Sequence, residues 1–154
     1  MYPYGHGLSY TTFAYSNLKL SLDTVELPKD KLTVSINVQN TGTVEAKESV
    51  ILYLNDEFGS VSRPVREVKG FKKITLAPNE NKNVSFELNS DHFSFINQHN
   101  QRVVEEGRFN VYFNNFDGNS TFVVKLPKVI SGSSLNVASS FNFILIFIIC
   151  VIMF

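Results

Sequence analysis

Two pairs of adjacent carboxylates, Glu105–Glu106 and Asp56–Glu57, and three histidines, His6, His92 and His99, are the first places to look for chemistry in this 154-residue chain. Cleaving a glycosidic bond takes two carboxyl groups on opposite sides of that bond. Glu105 and Glu106 are neighbours in an extended stretch, so their side chains project to opposite faces and cannot flank one bond. They read as solvated strand-end charges, and Asp56 and Glu57 as solvated loop charges. The histidines lack the short spacings of zinc ligands and read as surface residues. Gly5-His6-Gly7 has no strand before it, which leaves it short of a phosphate cradle. The chain has one cysteine, Cys150, in an apolar run, where a thiolate nucleophile has no support. Lys69, Lys72 and Lys73 form a small basic cluster, read as a solvated strand edge. No catalytic residue, no cofactor and no metal site is expected.

Composition narrows the class further. Fourteen basic and fourteen acidic side chains give a formal net charge of zero. The basic footprint of a nucleic-acid binder is missing, and no nucleic-acid partner is expected. With 44% hydrophobic and 18% charged residues the chain is no disordered polyelectrolyte. A single cysteine excludes an internal disulfide framework.

The elements that must position these side chains are strands. Leu32, Val34, Ile36 and Val38 alternate with Thr33, Ser35 and Asn37, the pattern of a half-buried strand. Leu18, Leu20 and Leu22 repeat it, as do Val84, Phe86 and Leu88, then Phe109, Val111 and Phe113, then Phe122, Val124 and Leu126. Residues 50–54, Val-Ile-Leu-Tyr-Leu, are apolar on both faces, as a central strand requires. Phe71 and Ile74 break strict alternation, which places a bulge between them. Asn40-Thr41-Gly42, Ala77-Pro78-Asn79, Glu106-Gly107 and the hairpin signal Asp117-Gly118 separate the runs. Ser90-Asp91-His92-Phe93 invites one helical turn with Ser90 as its cap. The expected fold is all-β: an immunoglobulin/fibronectin III-like antiparallel sandwich of about seven strands, followed by an apolar C-terminal tail.

Both ends carry information of their own. Phe141 to Phe154 holds no charge, Gly or Pro. As a helix its 14 residues would span roughly 21 Å, short of the roughly 30 Å hydrocarbon layer. It fits better as the apolar end of a glycolipid-anchor signal, with Ser131, Gly132 and Ser133 as attachment candidates; a short membrane segment is the other reading. The start, Met1-Tyr2-Pro3-Tyr4-Gly5-His6, has no signal-peptide pattern. An anchored protein must enter the secretory pathway, so Met1 is not expected to be the biological start. Tyr2, Tyr4, Tyr10 and Phe13 crowd this end as candidates for packing on another domain. Asn83-Val84-Ser85 and Asn119-Ser120-Thr121 are N-glycosylation sequons, with Asn83 on a polar strand face and Asn119 in a hairpin loop.

Tyr2-Pro3-Tyr4-Gly5-His6-Gly7-Leu8-Ser9-Tyr10-Thr11 resembles the segment that closes the second catalytic-region domain of family 3 glycoside hydrolases, the β-glucosidases and β-xylosidases. Asn40-Thr41-Gly42, Leu52-Tyr53, Ser62-Arg63-Pro64-Val65 and Val68-Lys69-Gly70-Phe71-Lys72-Lys73 resemble that family's C-terminal fibronectin type III-like domain, in order. Leu76-Ala77-Pro78-Asn79-Glu80, Phe93-Ser94-Phe95 and Glu106-Gly107-Arg108-Phe109 continue the match. Ala46 stands where the family usually has Gly, and Asn89-Ser90-Asp91 where Thr-Pro-Glu or Ser-Pro-Glu is usual. The resemblance implies that the aspartate nucleophile and glutamate acid/base lie upstream, and neither maps onto a residue here.

The expected organisation follows: 1–16 the end of a preceding glycosidase domain and linker, 17–127 the fibronectin type III-like domain, 128–140 a polar spacer, and 141–154 the hydrophobic tail. The implied role is a non-catalytic accessory domain that braces the catalytic domains of the parent glycosidase. It would space them from a membrane reached through the tail or a lipid anchor, at the cell surface or outside the cell. A free-standing anchored β-sandwich for interaction or adhesion is the alternative.

Overall fold

Alternating apolar side chains turn into paired strands throughout the computed structural model, which describes residues 7–114 and 116–127. In chain order these are β1 (Phe13–Leu20), β2 (Thr24–Glu26), β3 (Leu32–Asn40), β4 (Ala46–Asp56), β5 (Glu67–Leu76) and β6 (Asn81–Leu88). A single helical turn, α1 (Ser90–Phe93), precedes β7 (Phe95–Ile96), β8 (Arg102–Val103), β9 (Gly107–Phe113) and β10 (Asn119–Lys125). One sheet has the order β1-β3-β6 and the other β2-β10-β9-β4-β5, while β7 and β8 pair as a short ribbon. The expected all-β sandwich is present. All pairings are antiparallel except that of β2, which lies parallel to β10.

The core is what period-2 patterning dictates. Leu32, Val34, Ile36 and Val38 of β3 face Val50, Leu52 and Leu54 of β4 and Phe109, Val111 and Phe113 of β9, all in one buried cluster. Phe93 of α1 closes one end, edge-on to Phe109 and Phe122 with ring centroids 5.6 and 5.7 Å away. A fully buried side chain of this size contributes about 1.5–3 kcal/mol. On the outer face of β4, Ile51 and Tyr53 are also buried, which accounts for the two-sided apolar run at 50–54.

Four expectations are corrected. The bulge in β5 is not between Phe71 and Ile74: Leu52 pairs with Gly70 and Tyr53 with Val68, so Lys69 is the extra residue. There Gly70 is required, because a Cβ would lie 2.5 Å from the Phe86 ring that crosses over it. The cap of α1 is Asn89, one residue before Ser90; its side chain accepts from the Asp91 N–H, and His92 reaches back to the Asn89 N–H. Asn89 has the extended backbone of a cap (φ −119°, ψ −175°), whereas Ser90 is already the first residue of the helical turn. Glu105 and Glu106 lie in the loop before β9, not on a strand. Finally, β1 begins at Phe13, so 13–16 belong to the sandwich and not to a linker. The tail 128–154, with Ser131, Gly132 and Ser133, and the aromatic residues Tyr2 and Tyr4 lie outside the described residues.

Candidate interdomain surface

The four carboxylates examined for bond cleavage are each held by a different partner. Glu105 accepts from the Ser60 N–H and from the Ser60 hydroxyl. These two bonds hold its carboxyl below the usual carboxylate range. Glu106 accepts from the Leu126 N–H at 2.8 Å. Asp56, expected to be solvated, is not: its side chain is 4% exposed and accepts from Arg63 Nη1 at 2.7 Å. Glu57 accepts from Asn110 Nδ2 at 2.8 Å. Among the described residues no three His, Cys, Asp or Glu side chains come together to hold a metal. His92 is spent on the α1 cap and His99 lies on the exposed β7–β8 turn. What the chain builds instead are two fastened surfaces, one at each end of β4.

At the first end, where β4 starts, the leading segment is clasped onto the Asn40-Thr41-Gly42 turn. Asn40 is fully buried and uses its whole amide. Its oxygen accepts from the Thr11 hydroxyl (2.7 Å) and the Gly42 N–H (3.1 Å), and its nitrogen donates to the carbonyls of Val44 and Leu76 (2.8 and 3.1 Å). The Thr41 N–H donates to the Thr12 carbonyl at 2.8 Å. A Cβ on residue 42 would fall 2.1 Å from the Thr11 hydroxyl, so only Gly allows the approach. Beside this clasp Gly7, Leu8, Ser9, Thr11 and Phe13 form one wall of a cleft of about 440 Å³, opposite Lys47, Glu48, Ser49 and Asn114. The Tyr15 hydroxyl donates to Glu48 at 2.7 Å. Burial, then that carboxylate, pushes the phenol far above its ordinary range. Of the aromatic packing candidates, Tyr10 is 101% exposed, whereas Phe13 packs partly against the module's own core.

At the far end, where β4 finishes, an ion-pair chain holds the loop 57–66. Arg63 lies between Asp56 and Glu67 (2.7 and 3.1 Å), and Lys69 completes the set at 3.0 Å from Glu67. Burial raises the Glu67 carboxyl, but Lys69 and Arg63 outweigh it and the net direction is down. The Arg63 guanidinium also stacks on Phe95, 5.0 Å from its centroid. Asn55 Nδ2 donates to the Val65 carbonyl at 2.8 Å. Lys69 was expected as part of a solvated edge; its side chain is 12% exposed, because the bulge turns it toward Glu67. Lys72 lies over the Phe86 ring. Sequence reasoning missed this network, although the Arg-Pro pair at 63–64 was a visible signal for a fixed loop.

Comparison with known proteins is decisive for the family. A model of the fibronectin type III-like domain matches residues 48–115. The periplasmic β-glucosidase of Salmonella typhimurium is 46% identical over 112 residues, covering 73% of this chain. A β-xylosidase of Formosa agariphila is 45% identical over 111 residues, covering 72%. The crystal structure of the GH3 β-glucosidase of Bifidobacterium adolescentis superposes with a TM-score of 0.70 at 27% identity, over 86% of this chain and 20% of that one. The chain carries the C-terminal fibronectin type III-like domain of family 3 glycoside hydrolases. It spans only 14% and 15% of the length of those two curated relatives.

Within this domain the two sequons fall on opposite outer faces. Asn83 is exposed on β6 and donates to Asn37 Oδ1 at 2.7 Å across the β3–β6 ladder. Asn119, expected in the hairpin loop, is the first residue of β10 and is exposed. Among the described residues no helix is long and apolar enough to cross a membrane.

Proposed function

We propose that this fibronectin type III-like domain is the non-catalytic accessory domain of a family 3 glycoside hydrolase, bracing catalytic domains that hydrolyse terminal β-D-glucosides with retention. One observation carries the reading: the chain matches β-glucosidases and β-xylosidases over a seventh of their length, while each candidate carboxylate is tied to its own structural partner. Retaining hydrolysis needs two opposed carboxyl groups about 5–5.5 Å apart. The catalytic domains would supply them. The first contact would lie at the leading segment, where Leu8 and Tyr10 are exposed on a backbone that the Asn40 clasp holds in place.

We further propose that the tail tethers the module at the cell surface, with Ser131, Gly132 or Ser133 as the anchor site, so that the sandwich spaces the enzyme from the membrane. Release from intact cells by a phosphatidylinositol-specific phospholipase tests the anchor; retention after treatment rules it out.

The bracing role is tested by a domain exchange. Deleting the matching segment from the Salmonella β-glucosidase is expected to shorten its thermal inactivation half-life. Grafting the 154-residue chain in that place is expected to restore it. A graft that behaves like the deletion overturns the reading.

A further inference from the structure

The two Asn-x-Ser/Thr sequons take no part in bracing or anchoring, and Asn83 stands in surroundings of its own. Alternation along β6 sends Val84 and Phe86 into the core and turns Asn81, Asn83, Ser85 and Glu87 out to solvent. β6 is the last strand of the β1-β3-β6 sheet, so Asn83 has a cross-strand neighbour on one side only, Asn37. Register lines up the outer face in rungs: Ser16, Asn37 and Asn83; Gln39 and Asn81; Ser35 and Ser85. Each of these side chains is uncharged and carries a hydroxyl or an amide. The charges flanking the strand are matched in pairs, Lys31 with Glu87 at 2.8 Å and Lys82 with Glu80 at 2.9 Å.

The amide itself is oriented for attachment. Asn83 Nδ2 donates to Asn37 Oδ1 at 2.7 Å. A side-chain amide has two N–H hydrogens, and this bond uses one. An N-glycosidic bond replaces the other, so the linkage and the Asn37 contact coexist. Asn119 sits differently. Its nitrogen lies 3.5 Å from Asn110 Oδ1, which the Thr121 hydroxyl of the same sequon also approaches, at 2.6 Å. Its cross-strand neighbour Tyr112 lies under the Arg66 guanidinium, 4.4 Å from the ring centroid. A glycan at Asn119 would lie against these groups; one at Asn83 extends over an open polar face.

We propose that Asn83 is an N-glycan attachment site and that its oligosaccharide covers the outer face of the smaller sheet. This rests on the cell-surface reading, which takes the chain through the secretory pathway. The donor is an oligosaccharide on a lipid-linked pyrophosphate. The bond from Asn83 Nδ2 to the anomeric carbon forms as the bond from that carbon to the pyrophosphate oxygen breaks. The amide gives up one proton, and the lipid pyrophosphate leaves with the electron pair. A bulky hydrated chain at that position solubilises the face that bears it.

The test directs the 154-residue chain into the secretory pathway of a yeast with a cleavable leader and maps carbohydrate by peptide mass spectrometry, before and after peptide N-glycosidase treatment in heavy-oxygen water. The expected result is an oligosaccharide on the Asn83 peptide of most leader-processed chains. It should be lost in Asn83→Gln and in Ser85→Ala, which keeps the Asn37 bond, and retained in Ser85→Thr and Asn119→Gln. A bare Asn83 in leader-processed chains, or carbohydrate confined to Asn119, overturns this inference and leaves the cell-surface reading standing. Fractionation of the native parent's own cells that finds it confined to the cytosol overturns both.

Discussion

Arg63 Nη1 lies 2.7 Å from Asp56 Oδ2, and both side chains are almost completely withdrawn from solvent. Replacing Arg63 with Ala strands a buried carboxylate, and chemical denaturation of the chain should show a loss of about 3 kcal/mol. Asp56→Asn together with Arg63→Met removes both charges and should recover most of that loss. Equal destabilisation by the single and double variants would contradict the account of the pair.

The Ser60–Glu105 contact gives a pH prediction. Hydrogen bonds from the Ser60 hydroxyl and N–H hold the Glu105 carboxyl below its ordinary value of 4.5. A group depressed in the folded state contributes stability that is present above its unfolded value and fades as pH falls through its lower folded value. Acidification below about pH 4.5 should therefore loosen the loop. Carbon-detected NMR titration should find Glu105 shifted toward its ordinary value in Ser60→Ala. An identical titration in both proteins would remove this contact from the loop's fastening.

Gly42 and Thr11 should behave as a coupled pair. Gly42→Ala drives a methyl group into the Thr11 hydroxyl, and overpacking of this kind costs about 1–3 kcal/mol. Thr11→Ala opens part of that space, so the double variant should be less destabilised than the sum of the singles, with a coupling of at least about 0.5 kcal/mol. Strict additivity in thermal unfolding would mean that the leading segment simply moves aside.

The 154-residue chain by itself should release no nitrophenol from aryl β-glucosides. Turnover abolished by a single Glu or Asp substitution would place a catalytic pair inside the sandwich and overturn the accessory reading.

How much of this was legible in the sequence follows from where each interaction closes. Leu32 to Val38 and Phe109 to Phe113 announced their strands because a face buried along its whole length writes itself as an alternation. Asn40 announced a turn, but nothing local said that it would be fully buried, since its partners Thr11 and Leu76 are 29 and 36 positions away. Glu48 and Tyr15 meet across 33 positions and carried no pattern at all. The Lys69 bulge was misplaced because Phe71 and Ile74 look out of phase, whereas the slip in register lies just before Gly70. The surface suited to another domain was legible only in part: an aromatic cluster marked the leading end, but Phe13 within it packs on the module's own core.

The extra residue at Lys69 also shapes how the module behaves among its neighbours. β5 forms one margin of the larger sheet, and an uninterrupted margin offers a template on which a foreign strand can zip. Lys69 breaks the regular spacing of that template, and Lys72 and Lys73 place positive charge along it, so a passing strand finds neither matched spacing nor a neutral track. The same irregularity that aims one ammonium group at Glu67 thus shields the protein from polymerising side by side.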